Sequence, residues 1–227
     1  MEKVNYLLLS SNPIYKNLFD KLKLMEHVNW FLLEDKLILK SDYLEKNKIE
    51  SIFIPHWSFL IPKEIYKNYK CILFHMTDLP FGRGGSPLQN LIKLGFKQTK
   101  VSALRVTNKI DAGPIYLKRE LDLSGSAKEI FSRTSLVIHK MIVEIIEKNI
   151  KPTPQKGNPF YFKRRTPSQS RIEGIKSMDE LYNHIRMLDC EGYPKAFIEI
   201  DDLVLEFENA KLKDEKNITA NVRIFKK

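Results

Sequence analysis

The segment 71–90, CILFHMTDLPFGRGGSPLQN, decides the fold of this chain. It begins with a short apolar run that ends at His75, and such a run before turn residues is typical of a buried strand. A Leu79-Pro80 turn and the glycine-rich run 82–85 follow, and glycine lets the backbone come close to a ligand. Because open α/β sheets bind ligands beyond the carboxyl ends of their strands, we expect His75 to face a binding crevice.

The residues on either side of this segment alternate between strand-like and helix-like patterns. The strand-like runs are 4–9, 28–33, 51–57, 71–75, 100–107 and 114–121. Strands that alternate with helices at this spacing predict a parallel sheet. We therefore expect an α/β fold with a Rossmann-like, mostly parallel sheet that carries helices on both faces, plus a small C-terminal β-rich appendage.

Capping residues predict a helix in the main domain and a helix in the appendage, and alternation predicts the strands of the appendage. Ser126 with Glu129, and Ser177 with Glu180, have the spacing of capping boxes at helix starts. From Ala196 onward apolar residues alternate with polar ones, which is typical of antiparallel strands. We expect one main domain over residues 1–171 and a small module of a helix and a β-hairpin over 172–227.

The overall composition is that of a globular protein. Hydrophobic residues make up 43% and charged residues 29% of the 227 residues, which is enough apolar material for a core. No apolar run approaches the roughly 20 residues of a membrane span, and the one near the N-terminus is too short for a signal peptide. We expect a cytoplasmic protein that binds no membrane. Cys71 and Cys190 form no C-x-x-C pair, which argues against a disulfide framework or a cysteine zinc site.

The positive charge is concentrated in one connector. The net charge is +10, but residues 148–171 hold seven basic residues and no acidic one. Residues 172–227 hold nine basic and twelve acidic residues, a net charge of −3. This distribution favours a local anion-binding site over a broad nucleic-acid surface. A solvated loop that keeps the protein in solution is an equally good interpretation, since lysines are common on surfaces.

Two ionisable residues near strand ends are candidates for acid–base chemistry. His75 ends one predicted strand, and Asp111 lies in the turn 107–113 before another. An imidazole exchanges protons near neutral pH, and a carboxylate can orient it or stabilise its charged form. The alternative is a structural histidine together with an aspartate that serves only the turn. The spacing alone leaves both interpretations open.

Several motifs, in the same order, resemble those of the formyltransferases. Residues 75–87, HMTDLPFGRGGSP, look like the family signature H-x-S-x-L-P-x-x-R-G-x-x-P, with Thr77 at the serine position. Residues 111–115, DAGPI, look like the D-x-G-x-I loop of that family, at the right distance downstream. The resemblance covers residues 1–171, and residues 186–200 resemble the start of the small C-terminal module of several members. A match at several points in the correct order is more specific than any single motif.

The resemblance implies an enzyme that uses 10-formyltetrahydrofolate as co-substrate and needs no metal. The domain of residues 1–171 is then the catalytic domain, in which the imidazole and the carboxylate support formyl transfer to an amine. The residues that we expect in catalysis are His75, Asp111 and Asn90. Those expected to bind the folate are His56, Trp57, Ser58, Arg83, Gly84, Gly85, Asn108 and Asp111. Those expected to bind the acceptor are Arg105, Tyr161, Arg164, Arg165 and Arg171.

Two positions depart from the family pattern. The family carries an Asn two residues before the His, where this chain has Leu73, and often a second His seven residues before the Asp, where it has Leu104. Loss of one oxyanion donor costs about 2.7–4 kcal/mol, so a working enzyme needs a replacement. Asn90 is our candidate. The alternatives are Gln89, Asn108 and the backbone N–H groups of residues 82–86.

The fuller runs 55–62 and 75–92 look like a narrower subgroup, the small formyltransferases of pseudaminic-acid-type sugar pathways. We therefore expect an N-formyltransferase that acts on a nucleotide-linked amino sugar, a UDP-linked 4-amino-4,6-dideoxy sugar. The alternatives are a methionyl-tRNA formyltransferase-like enzyme and a catalytically silent folate- or nucleotide-binding protein. The charge of −3 in residues 172–227 argues against a nucleic-acid partner. A homodimer is a further expectation, from the apolar content of the tail and the long helix.

Overall fold

The chain forms eleven β-strands and six α-helices within residues 3–227, the part that the computed structural model describes. The strands are β1 (Val4–Ser10), β2 (Val28–Leu33), β3 (Ile49–His56), β4 (Lys70–His75), β5 (Arg83–Gly84), β6 (Gln98–Arg105), β7 (Ile115–Asp122), β8 (Tyr161–Phe162), β9 (Ala196–Ile200), β10 (Leu203–Asp214) and β11 (Asn217–Lys226). The helices are α1 (Lys16–Leu22), α2 (Ser41–Lys46), α3 (Lys63–Asn68), α4 (Pro87–Lys93), α5 (Ala127–Glu147) and α6 (Met178–Arg186). None of these helices has the length and apolar character to cross a membrane.

The predicted mostly parallel sheet is confirmed. Six strands pair in the order β2-β1-β3-β4-β6-β7. The pairs β1–β2, β1–β3 and β3–β4 are parallel, whereas β6 runs antiparallel to β4. Apolar side chains of the central strands, among them Leu7, Ile52, Ile54 and Cys71, are completely buried. Burial of these continuous apolar runs is what holds the sheet at the centre of its core.

The chain divides into two compact units. The first unit consists of the described residues up to Gly84, together with Thr99–Leu121 and Ser132–Tyr161. The second unit consists of Gly85–Gln98, Asp122–Phe131 and Phe162–Lys227. The six-stranded sheet belongs to the first unit, apart from the ends of β6 and β7.

The second unit contains an antiparallel sheet in the order β11-β10-β9, as the alternation predicted, and α6 packs against β10. Ser177 caps the start of helix α6, and its hydroxyl accepts the N–H of Glu180 at 3.1 Å. Arg186, at its end, is buried and donates to the carbonyl oxygens of Leu123 and Gly125 at 2.7 and 2.8 Å. These charge-assisted bonds satisfy the buried guanidinium and tie the helix to the preceding loop.

The capping box predicted at residue 126 is present at the start of α5. The N–H of Glu129 donates to the Ser126 hydroxyl at 3.3 Å, and the N–H of Ser126 donates to the Glu129 carboxylate at 2.7 Å. Further along the helix, Ile138, Met141 and Ile142 are completely buried on one stripe. A satisfied first turn and an apolar face together explain why this helix was predictable.

Candidate active site

Strand β4 ends at His75, and the turn that follows folds back onto the imidazole. Nε2 of His75 lies 2.7 Å from the carbonyl oxygen of Gly82, which can only accept, so Nε2 carries a proton and donates it. The Thr77 hydroxyl donates to the same oxygen at 3.3 Å. The Ser102 hydroxyl donates to the Thr77 carbonyl at 2.6 Å and accepts the N–H of Leu79 at 3.3 Å. Strand β6 thereby holds the turn, and Thr77 stabilises the loop.

Asp111 faces the other nitrogen of the same imidazole. Its Oδ2 lies 3.7 Å from Nδ1 of His75, and the two side chains are only 7% and 8% exposed. The same Oδ2 accepts the N–H of Gly84 at 2.8 Å. Asp111 has a left-handed backbone with φ of 50°, which aspartate tolerates better than most residues. The structure brings the two predicted residues together, and their roles in catalysis stay predictions.

Gln155 belongs to this cluster, although the sequence did not indicate it. Its Nε2 donates to the carbonyl oxygens of Asp111 and Gly113, both at 2.8 Å. Its Oε1 accepts from Nη2 and Nε of Arg83 at 2.8 and 3.3 Å. The residue lies in the basic connector 148–171, where no motif marks it.

Arg83 and Tyr161, predicted to bind folate and acceptor respectively, contact each other. Nη1 of Arg83 donates to the Tyr161 hydroxyl at 3.1 Å, and the guanidinium lies 5.8 Å from the ring centroid. The Tyr161 side chain is exposed. Arg83 is therefore held from two sides within the first unit, by an amide and by an aromatic ring.

The predicted folate residues after β3 lie beside aromatic side chains. The ring of His56 stacks on that of Tyr15 with centroids 6.1 Å apart. Trp57 makes an edge contact with Phe59 at 5.5 Å, and Ser58 between them is exposed. Nε1 of Trp57 is buried and has no hydrogen-bond partner within residues 3–227. A buried N–H of this kind suits a polar ligand atom.

Two further predicted residues, Arg105 and Asn108, line a cavity of about 510 Å³ next to α3. Lys63 and Lys67 line it as well, so three cationic side chains surround it. Such a lining suits a carboxylate or phosphate group. His75 does not line this cavity. In the described part of the chain, no cluster of three or more His, Cys, Asp or Glu side chains is suited to a metal ion.

Asn90 lies in the second unit, where its amide serves the start of α4. Its Nδ2 lies 3.1, 3.0 and 3.1 Å from the carbonyl oxygens of Gly85, Ser86 and Lys163. Three acceptors therefore compete for the two N–H groups of this amide. The structure uses the amide to join α4 to the connector, and the role of Asn90 as an oxyanion donor stays a prediction.

The remaining predicted residues also lie in the second unit. A Cβ at Gly85 would come within 2.5 Å of the Cβ of Arg164, so glycine permits this close approach. The N–H of Arg165 donates to the Ser86 hydroxyl at 3.0 Å, and burial lowers the pKa of its guanidinium from the ordinary value. Arg171 forms an ion pair with Glu199 at 3.1 Å. The backbone of the basic run 163–165 is thus anchored at the start of α4.

Leu73 and Leu104, the two departures from the family pattern, stand opposite each other in the β4–β6 register. Side chains two residues apart on a strand share a face, so Leu73 lies on the His75 face of β4. Leu73 packs against the apolar cluster of Leu79, Leu104 and Ile115. An apolar pair therefore occupies the positions where the family pattern places polar groups.

Comparison with known proteins bears directly on the family. A family model described as Methionyl-tRNA formyltransferase, C-terminal domain, matches residues 167–225. A structure of methionyl-tRNA formyltransferase from Clostridium thermocellum is 43% identical, with a TM-score of 0.95, and the match covers 99% of this chain and 100% of that one. Methionyl-tRNA formyltransferase from Francisella philomiragia is 29% identical over 182 residues, 76% of this chain and 55% of its own length. The chain spans about half the length of the curated relatives it matches.

More distant structures share the fold. HypX from Aquifex aeolicus, solved in complex with tetrahydrofolic acid, is 23% identical with a TM-score of 0.77, over 90% of this chain and 37% of that one. The formyltransferase PseJ from Anoxybacillus kamchatkensis, solved with a UDP-linked formamido sugar and tetrahydrofolate, is 21% identical with a TM-score of 0.60, over 85% and 95%. Tetrahydrofolate is bound in both of these structures, and at these identities the likeness to this chain is one of fold.

The prediction of a sugar-nucleotide acceptor is wrong. The relatives with the higher identities are described as methionyl-tRNA formyltransferases, whereas PseJ shares only the fold. The sugar prediction rested on runs 55–62 and 75–92, and the second of these consists largely of the signature that the whole family shares, which does not distinguish one acceptor from another. The charge of −3 in residues 172–227 does not exclude a nucleic-acid partner, because a net charge averaged over a segment does not describe a local cationic surface.

Motif order, the His75–Asp111 geometry and a 43% identical structure over 99% of the chain agree with one another. The chain belongs to the formyltransferase family and is methionyl-tRNA formyltransferase-like.

Proposed function

We propose that this protein transfers a formyl group from 10-formyltetrahydrofolate to the amine of methionyl-tRNA. A bond forms between the amine nitrogen and the formyl carbon, and the bond from that carbon to the folate nitrogen breaks. The amine loses one proton and the folate nitrogen takes up one, so that tetrahydrofolate leaves as a neutral amine. The observation that carries the proposal is the 3.7 Å distance between Nδ1 of His75 and Oδ2 of Asp111, two residues that stand in the motifs 75–87 and 111–115. The acceptor is taken from the relatives described as methionyl-tRNA formyltransferases.

His75 is suited to accept the proton that the amine loses. Because Nε2 donates to the Gly82 carbonyl, the neutral imidazole has its lone pair on Nδ1. Nδ1 faces the Asp111 carboxylate at 3.7 Å, and this negative charge stabilises the imidazolium that forms when Nδ1 takes up a proton. The buried position of both side chains keeps the electrostatic interaction strong.

The first unit offers groups that fit the folate. The buried, unsatisfied N–H of Trp57 suits a polar edge of the pterin, and the aromatic ring suits its flat face. The cavity that Asn108 and Arg105 line suits the anionic remainder of the molecule. When bound, 10-formyltetrahydrofolate supplies the formyl group.

The basic run 163–165 is the proposed contact to tRNA phosphates. Lys163 and Arg164 have exposed side chains, while the backbone of the run is anchored by Asn90 and Ser86. An anchored backbone lowers the entropic cost of presenting cations to a phosphate chain. The binding role predicted for Arg164 and Arg165 is thus kept, with RNA phosphate as the ligand.

The predicted division at residue 171 and the cytoplasmic location are kept as parts of this proposal. The family model for a C-terminal domain begins at residue 167, which supports a boundary in this region. A cytoplasmic location follows from the proposed acceptor, because aminoacylated tRNA is used where proteins are made.

The test is a transfer assay with the purified protein, 10-formyltetrahydrofolate and methionyl-tRNA, which detects released formylmethionine by mass. We expect product from the wild type and none with uncharged tRNA. His75→Asn should lower kcat by about 10²–10⁴, the usual contribution of a general acid or base, with an unchanged urea midpoint. An unaltered kcat in this variant would remove His75 from the mechanism. If the wild type binds the folate and forms no product, the proposed reaction is wrong.

Binding of tRNA gives a second measurement. Because phosphate contacts release counterions, the affinity should fall linearly with the logarithm of salt concentration. Arg164→Ala should weaken binding and reduce the slope by about one. A Kd that is independent of salt would contradict a phosphate contact at the run 163–165.

A folate-binding protein without transferase activity is the second candidate. The apolar pair Leu73–Leu104 favours it, because this pair removes polar groups beside His75. Folate binding without transfer to methionyl-tRNA would support this candidate.

A further inference from the structure

We propose that Gln155 is a positioning residue of the active site, which holds Asp111 where its carboxylate faces His75. The geometric part of this proposal depends on hydrogen bonds within the first unit. Its consequence for catalysis rests on the proposed function. The ligand-free protein therefore provides a test that does not require the reaction.

The side-chain amide of Gln155 uses its full hydrogen-bonding capacity. Its two N–H groups donate to the carbonyl oxygens of Asp111 and Gly113 at 2.8 Å, and its oxygen accepts twice from Arg83. Carbonyls only accept and a guanidinium only donates, so these partners determine the orientation of the amide. A glutamate at this position has the same length, but its carboxylate has no N–H for the two carbonyls.

Two of the three partners of Gln155 are linked along the chain to the Asp111 carboxylate or to the N–H that it accepts. One partner is the main chain of Asp111 itself. The other is Arg83, and the next residue, Gly84, donates its N–H to the carboxylate at 2.8 Å. Gln155, Asp111 and the pair 83–84 thus form a closed ring of contacts, and this ring determines the direction of the carboxylate.

The Asp111 turn needs such support. Asp111 has a positive φ of 50°, a conformation that surrounding contacts must maintain. At the far side of the turn, a Cβ on Gly113 would lie 1.7 Å from the carbonyl oxygen of Arg105, so the turn already packs against the end of β6. The amide of Gln155, in the connector, holds the same turn through its hydrogen bonds to the carbonyls of Asp111 and Gly113.

Pairing with β7 brings Gln155 to this place. The N–H of Ile115 donates to the Thr153 carbonyl at 2.7 Å, and the N–H of Thr153 donates back at 2.8 Å. Two residues further on, the connector passes the carbonyls of Asp111 and Gly113. The position of the amide is therefore determined by the sheet edge and does not depend on a free loop.

The experiment compares Gln155→Ala and Gln155→Glu with the wild type and with Gln98→Ala, an exposed glutamine outside the cluster. Amide hydrogen exchange of Gly84 in the ligand-free protein reports whether the Asp111 carboxylate stays in place. We expect its protection factor to fall at least tenfold in Gln155→Ala. Gln155→Glu keeps the acceptors for Arg83 and loses the donors to the Asp111 turn. The protection factor of Gly84 should therefore fall as much in this variant as in Gln155→Ala. Gln98→Ala should match the wild type.

The same variants are then assayed for formyl transfer. We expect both Gln155 variants to lose at least tenfold in kcat, with KM for the formyl donor changed less than twofold, because the carboxylate acts on the reacting proton. A Gly84 protection factor in Gln155→Ala equal to that of the wild type would overturn the proposal. Protection in Gln155→Glu equal to the wild type would show that the amide acts only through Arg83, which also overturns it. If no variant and no wild type forms product, the proposed function fails while the exchange result still decides the role of Gln155.

Discussion

Leu73 and Leu104 are the residues that most clearly separate this site from the family pattern. They face each other across β4 and β6 and share one apolar cluster beside His75. A polar group left alone in such a cluster costs free energy, so each leucine favours the other. The pair therefore makes the face of β4 that carries His75 more apolar than the family pattern does.

Leu73→Asn tests whether the missing amide limits the reaction. One oxyanion donor contributes about 2.7–4 kcal/mol, so an amide two residues before His75 should raise kcat by about 10²–10³. Leu73→Ala is the matched control, because it removes the same packing without adding a donor. Initial rates and urea midpoints of both variants provide the measurement. A Leu73→Asn variant no faster than Leu73→Ala would mean that another group already supplies the donor.

Gly113→Ala tests the tightness of the Asp111 turn. The new Cβ would lie 1.7 Å from a backbone oxygen of Arg105, so the turn must shift. We expect a loss of about 1–3 kcal/mol in the free energy of unfolding, as for other overpacked sites, and a lower kcat. Gly174→Ala meets nothing within 4 Å and should lose only the roughly 1–2 kcal/mol for its positive φ. Equal unfolding curves for wild type and Gly113→Ala would contradict this packing.

The sequence predicted that residues in two separate short motifs lie close together. His75 and Asp111 stand in such motifs, and the structure places them together. Gln155 was missed because its acceptors are main-chain carbonyls, which every residue has, and these leave no sequence pattern. The acceptor was mispredicted because run 75–92 consists largely of motifs that the whole family shares, and shared motifs do not distinguish one acceptor from another.

Among the elements, those with local signals were predicted well. Helix α5 starts at the expected capping box, and the parallel strands β1, β3 and β4 lie where apolar runs indicated them. The antiparallel direction of β6 was not predicted, because a buried strand has the same apolar pattern in either direction. Strand direction depends on which neighbour the chain reaches, and that is a tertiary property.

Helix α6 contains a histidine that couples stability to pH. Burial lowers the pKa of His184, the Ser170 carbonyl that accepts from Nε2 at 3.0 Å opposes this, and Arg165 and Lys93 lower it further. The unfolded chain therefore binds a proton at higher pH than the folded protein. Stability from this group is complete above the ordinary histidine pKa of about 6.5 and is lost as the pH falls below it.

His184→Gln should reduce the loss of stability at acidic pH. We expect the urea midpoint of the wild type to fall more steeply than that of the variant between about pH 6.5 and pH 5. His139, whose pKa burial also lowers, contributes in the same direction, so His139→Gln is the comparison. Parallel curves for wild type and His184→Gln would show that His184 does not link stability to pH.

At the scale of the whole molecule, the homodimer stays a prediction. Strand β11 forms one edge of the C-terminal sheet, and its side chains Val222 and Ile224 are 46% and 61% exposed. An exposed strand edge with apolar side chains is a template for pairing with a second strand. The C-terminal sheet therefore offers a surface consistent with the dimer that the apolar tail suggested.

Light scattering measures the oligomeric state of the wild type directly. We expect a mass of two chains, and a mass of one chain for Val222→Lys, because a dimer contact cannot bury an unpaired lysine at low cost. Asn221→Lys, whose side chain points to the opposite face of β11, should remain dimeric. A monomeric wild type at the concentration of the transfer assay would refute the dimer.

The position of Gln155 along the chain has a consequence for biosynthesis. Residues 75–115 contain every motif of the family signature, and they leave the ribosome before the amide that encloses the Asp111 turn. A nascent chain that has reached only the end of α5 carries the complete motif set with the carboxylate not yet secured. Competence for one-carbon transfer would therefore arise late in translation, when the connector pairs with β7 and not when the last motif residue is added.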